Sequence, residues 1–520
     1  AGARRGGAAI PTAFFGGRIR TMEPGPPPDV VVVDGDRIQA VGDHSLLDAH
    51  PGAARADLRG RYLIPGLIDA HHHLSVAALQ PRWADLTHAG SPEDVFAALR
   101  DQAAREPSAA WIRAFNWRPT AGAKVTRQDL DDLQLGRPIV LAHWTMHQCL
   151  VDSAGLEALG IDAGTADPPG GHILRDGQGA ATGRLIEIAW SAAHAASVAD
   201  YTRDGWPDRI AASARALLAE GITAIHDAAA SPGAIAAYRR LATSGALPIS
   251  VLAMPHSTAM LVNPDAGLVD GLTPGDGDAW FRLGPVKFFA DSGSQPAVRG
   301  HRDGKPIEMG TLSPGLAEGV RAVAARGWPV AIHTNGSLGV EAALAALRGA
   351  DLSAAPRLEH CVVLAPGQER AIAAAGAHAV VQPSFVDMFA GAAAGGFVFD
   401  DLDFAPFRSL ADAGVPLAAS SDAPCTDARP LTDCAFGVTR RGLNGYDLDA
   451  EQSLDYETWL HAATIGAARA GGQEDERGSL AAGKRADLVI LSGELDADAP
   501  PTVAETWVAG ERVFSAGTAS

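Results

Sequence analysis

The chain has 520 residues, 47% of them apolar and 20% charged, which is material for two or three domains or for one large barrel with additions. Lys and Arg total 42 against 61 Asp and Glu, a formal charge of -19. That acidic balance argues against nucleic acid or anionic membranes as partners held by bulk charge, and no apolar run reaches the length of a membrane span. The four cysteines, Cys149, Cys361, Cys425 and Cys434, have no paired spacing, which predicts reduced thiols and a cytoplasmic protein. The opening AGARRGGAAIPTAFFGG interrupts its apolar residues with Gly, Pro and Thr, so no secretory core is expected. A first residue of Ala predicts a processed or engineered start.

Residues 12 to 64 hold short β-type runs separated by turns: AFFGGRIRTM, DVVVVDGDRIQAVG with its Asp-Gly signal, and ADLRGRYLI. The chain end returns to this style in GKRADLVILS and ETWVAGERVFSAG. Two β-rich ends around a different middle predict a composite β-sandwich domain from 1–64 and 475–520, with the large domain, 65–474, inserted between them.

In that middle, short apolar runs alternate with Ala- and Leu-rich helical stretches, the pattern of βα units on a parallel sheet. Eight strands are expected, at 62–69, 222–227, 247–254, 283–289, 328–333, 356–360, 377–382 and 415–421. SPGLAEGVRAVAARG and GVEAALAALRG read as helices ending at Gly. The count predicts an α/β fold, a (β/α)8 TIM-type barrel. Between 69 and 222 lies far more chain than one crossover needs, so 80–205 is expected to form an inserted subdomain over the barrel mouth. Its strand-like pieces are AWIRAFNW and RPIVLAHW, with a Gly-rich turn at PPGGHILRDGQG.

Barrels of this kind carry their chemistry at the C-terminal ends of the strands. Those ends bring His71 and His73 after strand one, His226 and Asp227 after two, Lys287 within four, His333 at the end of five, His360 at the end of six and Asp422 after eight. In YLIPGLIDAHHHL, 62–74, strand alternation turns His71 and His73 to one side, where they can grip one ion, and His72 to the other, beside Asp69 or the inserted segment. Solvated strand-end histidines are the competing reading. Lys287, in GPVKFFADSGS, stands in an otherwise apolar strand. Left unmodified, it needs a carboxylate such as Asp291 or Asp422; otherwise it is a lysine carboxylated by carbon dioxide that bridges two metals. His333 and His360 fall on neighbouring strands, each alone compatible with a core histidine, and together with a bridging lysine they complete a second metal position. Asp422, in AASSDAP, aims a carboxylate at the mouth, although Asp before Pro also caps turns. Imidazoles and a carboxylate around an open position describe a hydrolytic zinc site.

PGLIDAHHHL, VKFFADSGS, VAIHTNGSLGVEAAL, RLEHCVVL, VVQPSF, ASSDAP and GSLAAGKRADLVIL, taken in order, resemble the motifs of the metal-dependent amidohydrolase superfamily, closest to the amidohydrolase 3 branch that includes N-substituted formamide deformylase. The resemblance spans about residues 12 to 515. It implies a distorted (β/α)8 barrel with a composite sandwich, His71 and His73 on one metal, Lys287 as carboxylated bridge, His333 and His360 on the second metal, and Asp422 as ligand and general base. It also implies zinc, two ions per chain or other divalent metals in their place, and puts His147 of HWTMHQCLVDSAGLEALGI near the substrate, although a buried structural role for His147 stays open. Two departures stand out: branch members follow the strand-five His with Gly-Asp and Ala where this chain has Asn335, Gly336 and Ser337, and they carry DGSLGSRTA where this chain has DSGSQPAVRG. The metal residues are intact while substrate-facing ones have changed, so a relative's substrate does not transfer.

The expected reaction is hydrolysis of a C–N bond in an N-formyl, N-acyl or cyclic amide, with His226, His147, Asp291 and Asn335 as candidate substrate-binding residues. A small molecule is the expected partner, and homo-oligomer formation is left open. A mononuclear deaminase is the first alternative, but it pairs the strand-five His with an acid as H-x-x-E, where this chain has Gly336, and it has no use for Lys287. A non-catalytic scaffold is the second, and it would be expected to have lost ligands. FNWRP, Trp144, SFVDMF and Phe397 suggest an aromatic lining or core packing.

Overall fold

The structure, a computed structural model, describes residues 10–119, 124–257, 259–396 and 398–517, so Phe397 and the first nine residues of the opening segment lie outside the described residues. Eight parallel strands run through the middle of the chain: β1 (Leu67–His72), β2 (Ile222–Ala230), β3 (Ser250–Pro255), β4 (Val286–Phe289), β5 (Val330–Thr334), β6 (Arg357–His360), β7 (His378–Val381) and β8 (Leu417–Ala419). One sheet has the order Phe281–Leu283, β3, β2, β1, and the other runs from β4 to β8 in chain order. The two sheets are joined past the ends of β8 and β1, where Asp422 N donates to His71 O at 2.9 Å and His73 N to Ala423 O at 2.8 Å. β1 and β3 are buried at every residue, as strands are when both faces are covered.

Two expected strands are each divided. The run 62–69 becomes Tyr62–Pro65 and β1, and 283–289 becomes the end of Phe281–Leu283 and β4. A proline stands at each break, Pro65 and Pro285, where the missing N–H interrupts the ladder. A Cβ on Gly66 would stand 2.2 Å from Thr223 Oγ1, so the chain crosses there only as glycine.

Tyr62–Pro65 joins a sheet ordered Arg18–Ile19, Tyr62–Pro65, Leu488–Ser492, Thr502–Val508, Glu511–Ser515, with strands from both chain ends. A second sheet, of Arg37–Gly42, Val30–Asp34, Thr12–Phe15 and Ala54–Asp57, shares an apolar cluster with it: Phe14, Val31 and Ile38 pack with Leu63, Leu488 and Ile490.

Between β1 and β2 a sheet is built from Gly171–Arg175, Ala181–Glu187, Gln148–Val151, Ile139–His143, Ile112–Trp117 and Ala84–Asp85, in that order. AWIRAFNW and RPIVLAHW supply one of its two parallel pairs, Ile112–Trp117 with Ile139–His143, and Leu99, Ile112, Leu141 and Leu150 belong to its own core. The four cysteines are free thiols. No helix among the described residues is long and apolar enough to cross a membrane.

Candidate metal centre

The strand ends of both parallel sheets converge. His71 closes β1 one residue from its end, and its Nε2 lies 3.4 Å from Asp422 Oδ1; His73 Nε2 lies 3.2 Å from the same oxygen. These three offer ligand atoms within 4.8 Å of one another. Lys287 Nζ is 3.3 Å from His71 Nε2. The rings of His360 stand 4.7 Å from His71 and 4.5 Å from His333. The six residues His71, His73, Lys287, His333, His360 and Asp422 line one small chamber of about 40 Å³.

Backbone strain accompanies this convergence. His360 (φ 75°) and Asp422 (φ 61°) both adopt the left-handed region that non-glycine residues avoid. At the end of β6 the effect is to break the alternation, so that Glu359 and His360 both serve the chamber. Glu359 Oε2 holds His71 Nδ1 at 2.6 Å, and Gln382 Oε1 holds His360 Nδ1 at 2.9 Å. Each bond engages Nδ1 and turns Nε2 towards the chamber, where that of His71 meets Lys287 Nζ, the arrangement metal-ligating histidines require. Arg357 in turn donates from Nε to Glu359 Oε1 at 2.8 Å and from NH2 to Glu359 Oε2 at 3.0 Å. Burial tends to raise the Glu359 carboxyl, yet Arg357 holds it below its usual range, as an anion. Glu359→Gln is therefore expected to weaken zinc binding about 10–100-fold, measured by competition with a chelator, with the fold retained.

Lys287 is buried and makes no ion pair among the described residues. Neither carboxylate proposed for it serves. Asp291 is occupied by three backbone amides, Asn335 N at 2.9 Å, Gly336 N at 2.7 Å and Ala297 N at 3.0 Å. It sits at the start of helix Ser337–Arg348, where an anion is favoured. Its expected substrate contact is thereby corrected: a Cβ on Gly339 would stand 2.5 Å from Asp291 Cγ, which leaves no room for a ligand. Burial nonetheless pushes Asp291 up to about 7. Asp422 faces the histidines instead.

His226 is also corrected as a substrate residue. It is buried behind the chamber, its Nδ1 2.8 Å from Arg357 NH1 and its ring against Gly471. Burial and Arg357 hold its pKa well below the usual value. Asp227 accepts from the Tyr238 hydroxyl and from Ser75 N at 3.3 Å. His72 is buried on the other side of the strand, with Nδ1 3.3 Å from Asp69 Oδ2.

Asn335 and His147 line a larger cavity of about 430 Å³, together with Trp144, Met309, Phe385, Met388 and Phe389. His147, His333, His360, Asp422 and Cys425 border both the cavity and the small chamber, so the two communicate. Trp144 and His147 come from the sheet inserted between β1 and β2. Glu359, Gln382, Cys425 and Glu187, which is hydrogen-bonded to His147, were missing from the expected set. A charged residue in the buried run RLEH was the available signal for Glu359; Glu187 has none, because its role depends on distant strands.

The donor set fits a divalent ion. Five imidazoles, His147 among them, one carboxylate and a buried amine without an acidic partner meet at a single chamber, and His333 Nε2 is buried with no hydrogen bond. The amidohydrolase family model matches residues 56–514. N-substituted formamide deformylase of Arthrobacter pascens is 30% identical over 491 residues, 89% of this chain and 89% of the relative. A putative amidohydrolase of Bacillus subtilis is 26% identical over 518 residues, 92% of this chain and 94% of the relative. Among solved structures, an uncharacterized metal-dependent hydrolase from Pyrococcus horikoshii matches with a TM-score of 0.74 at 21% identity, covering 93% of this chain and 98% of that one. That likeness is one of fold.

Proposed function

The chain belongs to the amidohydrolase family, and from its site we propose that it hydrolyses the C–N bond of a neutral, N-substituted formamide or a closely related small amide. The observation that carries this reading is the convergence of His71, His73, Lys287, His333, His360 and Asp422 on one chamber. In the same reading the two parallel sheets form one (β/α)8 barrel, 65–474, and 1–64 with 475–520 form a composite β-sandwich.

His71 and His73 would hold one zinc ion, His333 and His360 a second, with Asp422 as a further ligand and Lys287 between them. A bound zinc ion polarises a carbonyl and makes water acidic enough to react near neutral pH. Lys287 suits a carboxylated bridge: burial pulls its amine down to about 8, so part of it is uncharged and free to form an N–C bond to carbon dioxide with loss of one proton. If so, zinc uptake by apoprotein depends on bicarbonate, and the intact protein gains the mass of one carbon dioxide; full zinc uptake in bicarbonate-free buffer removes the bridge.

Asp422 takes a proton from the attacking water as its oxygen bonds to the carbonyl carbon. When the C–N bond breaks, Asp422 returns that proton to the leaving nitrogen, which departs as an amine and leaves a carboxylic acid. The N-substituent suits the adjoining cavity of about 430 Å³. Trp144, Phe385, Met388 and Phe389 offer that substituent an apolar surface, and no Lys or Arg lines the cavity among the described residues.

Metal analysis beside a panel of N-formyl, N-acyl and cyclic amides tests the reading. About two ions per chain with formamide turnover supports it; one ion with deamination supports the mononuclear alternative, and no ion supports a scaffold.

A further inference from the structure

We propose that Glu187 is a positioning residue that fixes the tautomer of His147, so that His147 Nε2 accepts a hydrogen bond from the amide N–H of the substrate and the enzyme selects amides that carry one. The proposal rests on the amide-hydrolase reading above.

Glu187 ends the strand Ala181–Glu187 of the inserted sheet and is buried. Its backbone (φ 52°, ψ -121°) is one a glutamate adopts only when its surroundings impose it. The surroundings here are three side chains from two separate parts of the fold. Oε2 lies 2.8 Å from His147 Nδ1, while Oε1 takes the Ser292 hydroxyl and, at 3.0 Å, the Ser294 hydroxyl. Both serines belong to the loop that follows β4, the strand of Lys287. One carboxylate thus ties the inserted sheet to the rim of the metal chamber.

The proton count fixes the ring. With both hydroxyls donating to Oε1, the carboxylate is an acceptor at Oε2 as well, so His147 Nδ1 carries the hydrogen and Nε2 keeps its lone pair. Gly293 N–H is also aimed at this Nδ1, at 3.1 Å; one nitrogen cannot accept that bond and donate to Glu187 as well, and the shorter, charge-assisted bond to the carboxylate prevails over the neutral one. No hydrogen bond engages Nε2 among the described residues, and the ring borders both the chamber and the cavity. A neutral imidazole in this tautomer accepts there and does not donate. The donor that an amide substrate offers at the junction of acyl group and N-substituent is its N–H. An N,N-disubstituted amide has none, and would bury the Nε2 lone pair unpaired.

Gly293 supplies an independent handle. A Cβ built on it would stand 2.1 Å from His147 Nε2 and 2.3 Å from Cδ2, and the three atoms nearest to it all belong to that ring. Gly293→Ala therefore displaces His147 without touching a proposed metal ligand.

The test compares N-phenethylformamide with its N-methyl derivative on zinc-loaded protein. The wild-type preference in kcat/KM for the secondary amide is expected to fall about tenfold or more in His147→Ala, and by a similar factor in Glu187→Gln and Gly293→Ala, with zinc content unchanged. Adding Glu187→Gln or Gly293→Ala to His147→Ala should alter the preference no further, because both act through the ring. A preference kept in His147→Ala, or additive losses in the double variants, overturns the proposal while leaving the hydrolase reading intact. A zinc-replete wild-type protein that neither binds nor cleaves either amide overturns the reading, and this inference with it.

Discussion

Asp422→Asn is expected to lower kcat on any amide substrate by at least about a hundred- to ten-thousand-fold, the range a general acid–base contributes. The backbone of Asp422 is bound to β1 through its N–H to His71 O at 2.9 Å, and its left-handed φ is one that asparagine also tolerates. The substitution therefore keeps shape and backbone bonds while it removes the charge and turns one acceptor oxygen into a donor. Burial alone would raise this carboxyl, but the hydrogen bond to His73 and the surrounding imidazoles hold it well below the usual carboxylate range. It is an anion at any working pH, ready to take a proton from water and to give it up at once to the leaving nitrogen. Asparagine does neither. The backbone bonds stay, but the charge-assisted contact with His73 weakens, so apoprotein melting should fall modestly while the fold is retained. The measurement pairs kcat with zinc content: a zinc-replete Asp422→Asn protein that still turns over rules out the role of base.

The parallel strands were legible because each is a short apolar run buried on both faces, and their ends carry polar residues with few other uses in such a position. What remained hidden followed from interactions that sequence distance conceals. The splitting of 62–69 and 283–289 depended on which neighbour each half pairs with, although Pro65 and Pro285 mark the positions. Asp291 shows the complementary failure: a carboxylate four residues after Lys287 invites pairing with it, yet three amides from two loops, one of them 44 residues downstream, claim its oxygens first. His226 sits at a strand end as the ligand candidates do, but Arg357, 131 residues away, turns it into part of the support beneath the chamber. Glu359 was concealed by the alternation rule itself, since adjacent strand residues should face opposite ways; only the positive φ of His360 brings both to one site. Glu187 and His147, 40 residues apart, are joined by the fold of the inserted sheet alone.

The three consecutive histidines give the second large effect, a separation of metal binding from stability between neighbours. His71→Ala is expected to weaken zinc binding by more than about a hundredfold, beyond the loss that follows removal of a supporting residue. The apoprotein should lose little stability beyond the volume of the ring, because Glu359 keeps its two bonds to Arg357. His73→Ala should behave alike on zinc. Its aim owes less to strand alternation than the run suggests: β1 ends at His72, and His73 has already turned (φ -115°, ψ 60°), held by its N–H to Ala423 O. His72 faces away from the chamber, buried beside Asp69, which accepts from Ser421 N at 2.9 Å and from the Ser421 hydroxyl at 2.5 Å. Removing its ring strips one neighbour from a buried carboxylate and opens a hole, at a cost of about 1–3 kcal/mol in folding. His72→Ala should thus lower the melting temperature of apoprotein and holoprotein alike while zinc affinity stays close to wild type. Chelator competition and thermal melts on the three single variants separate the roles: equal loss of zinc from all three would mean that His72 reaches the chamber, and unchanged zinc affinity in His71→Ala would remove the metal from β1.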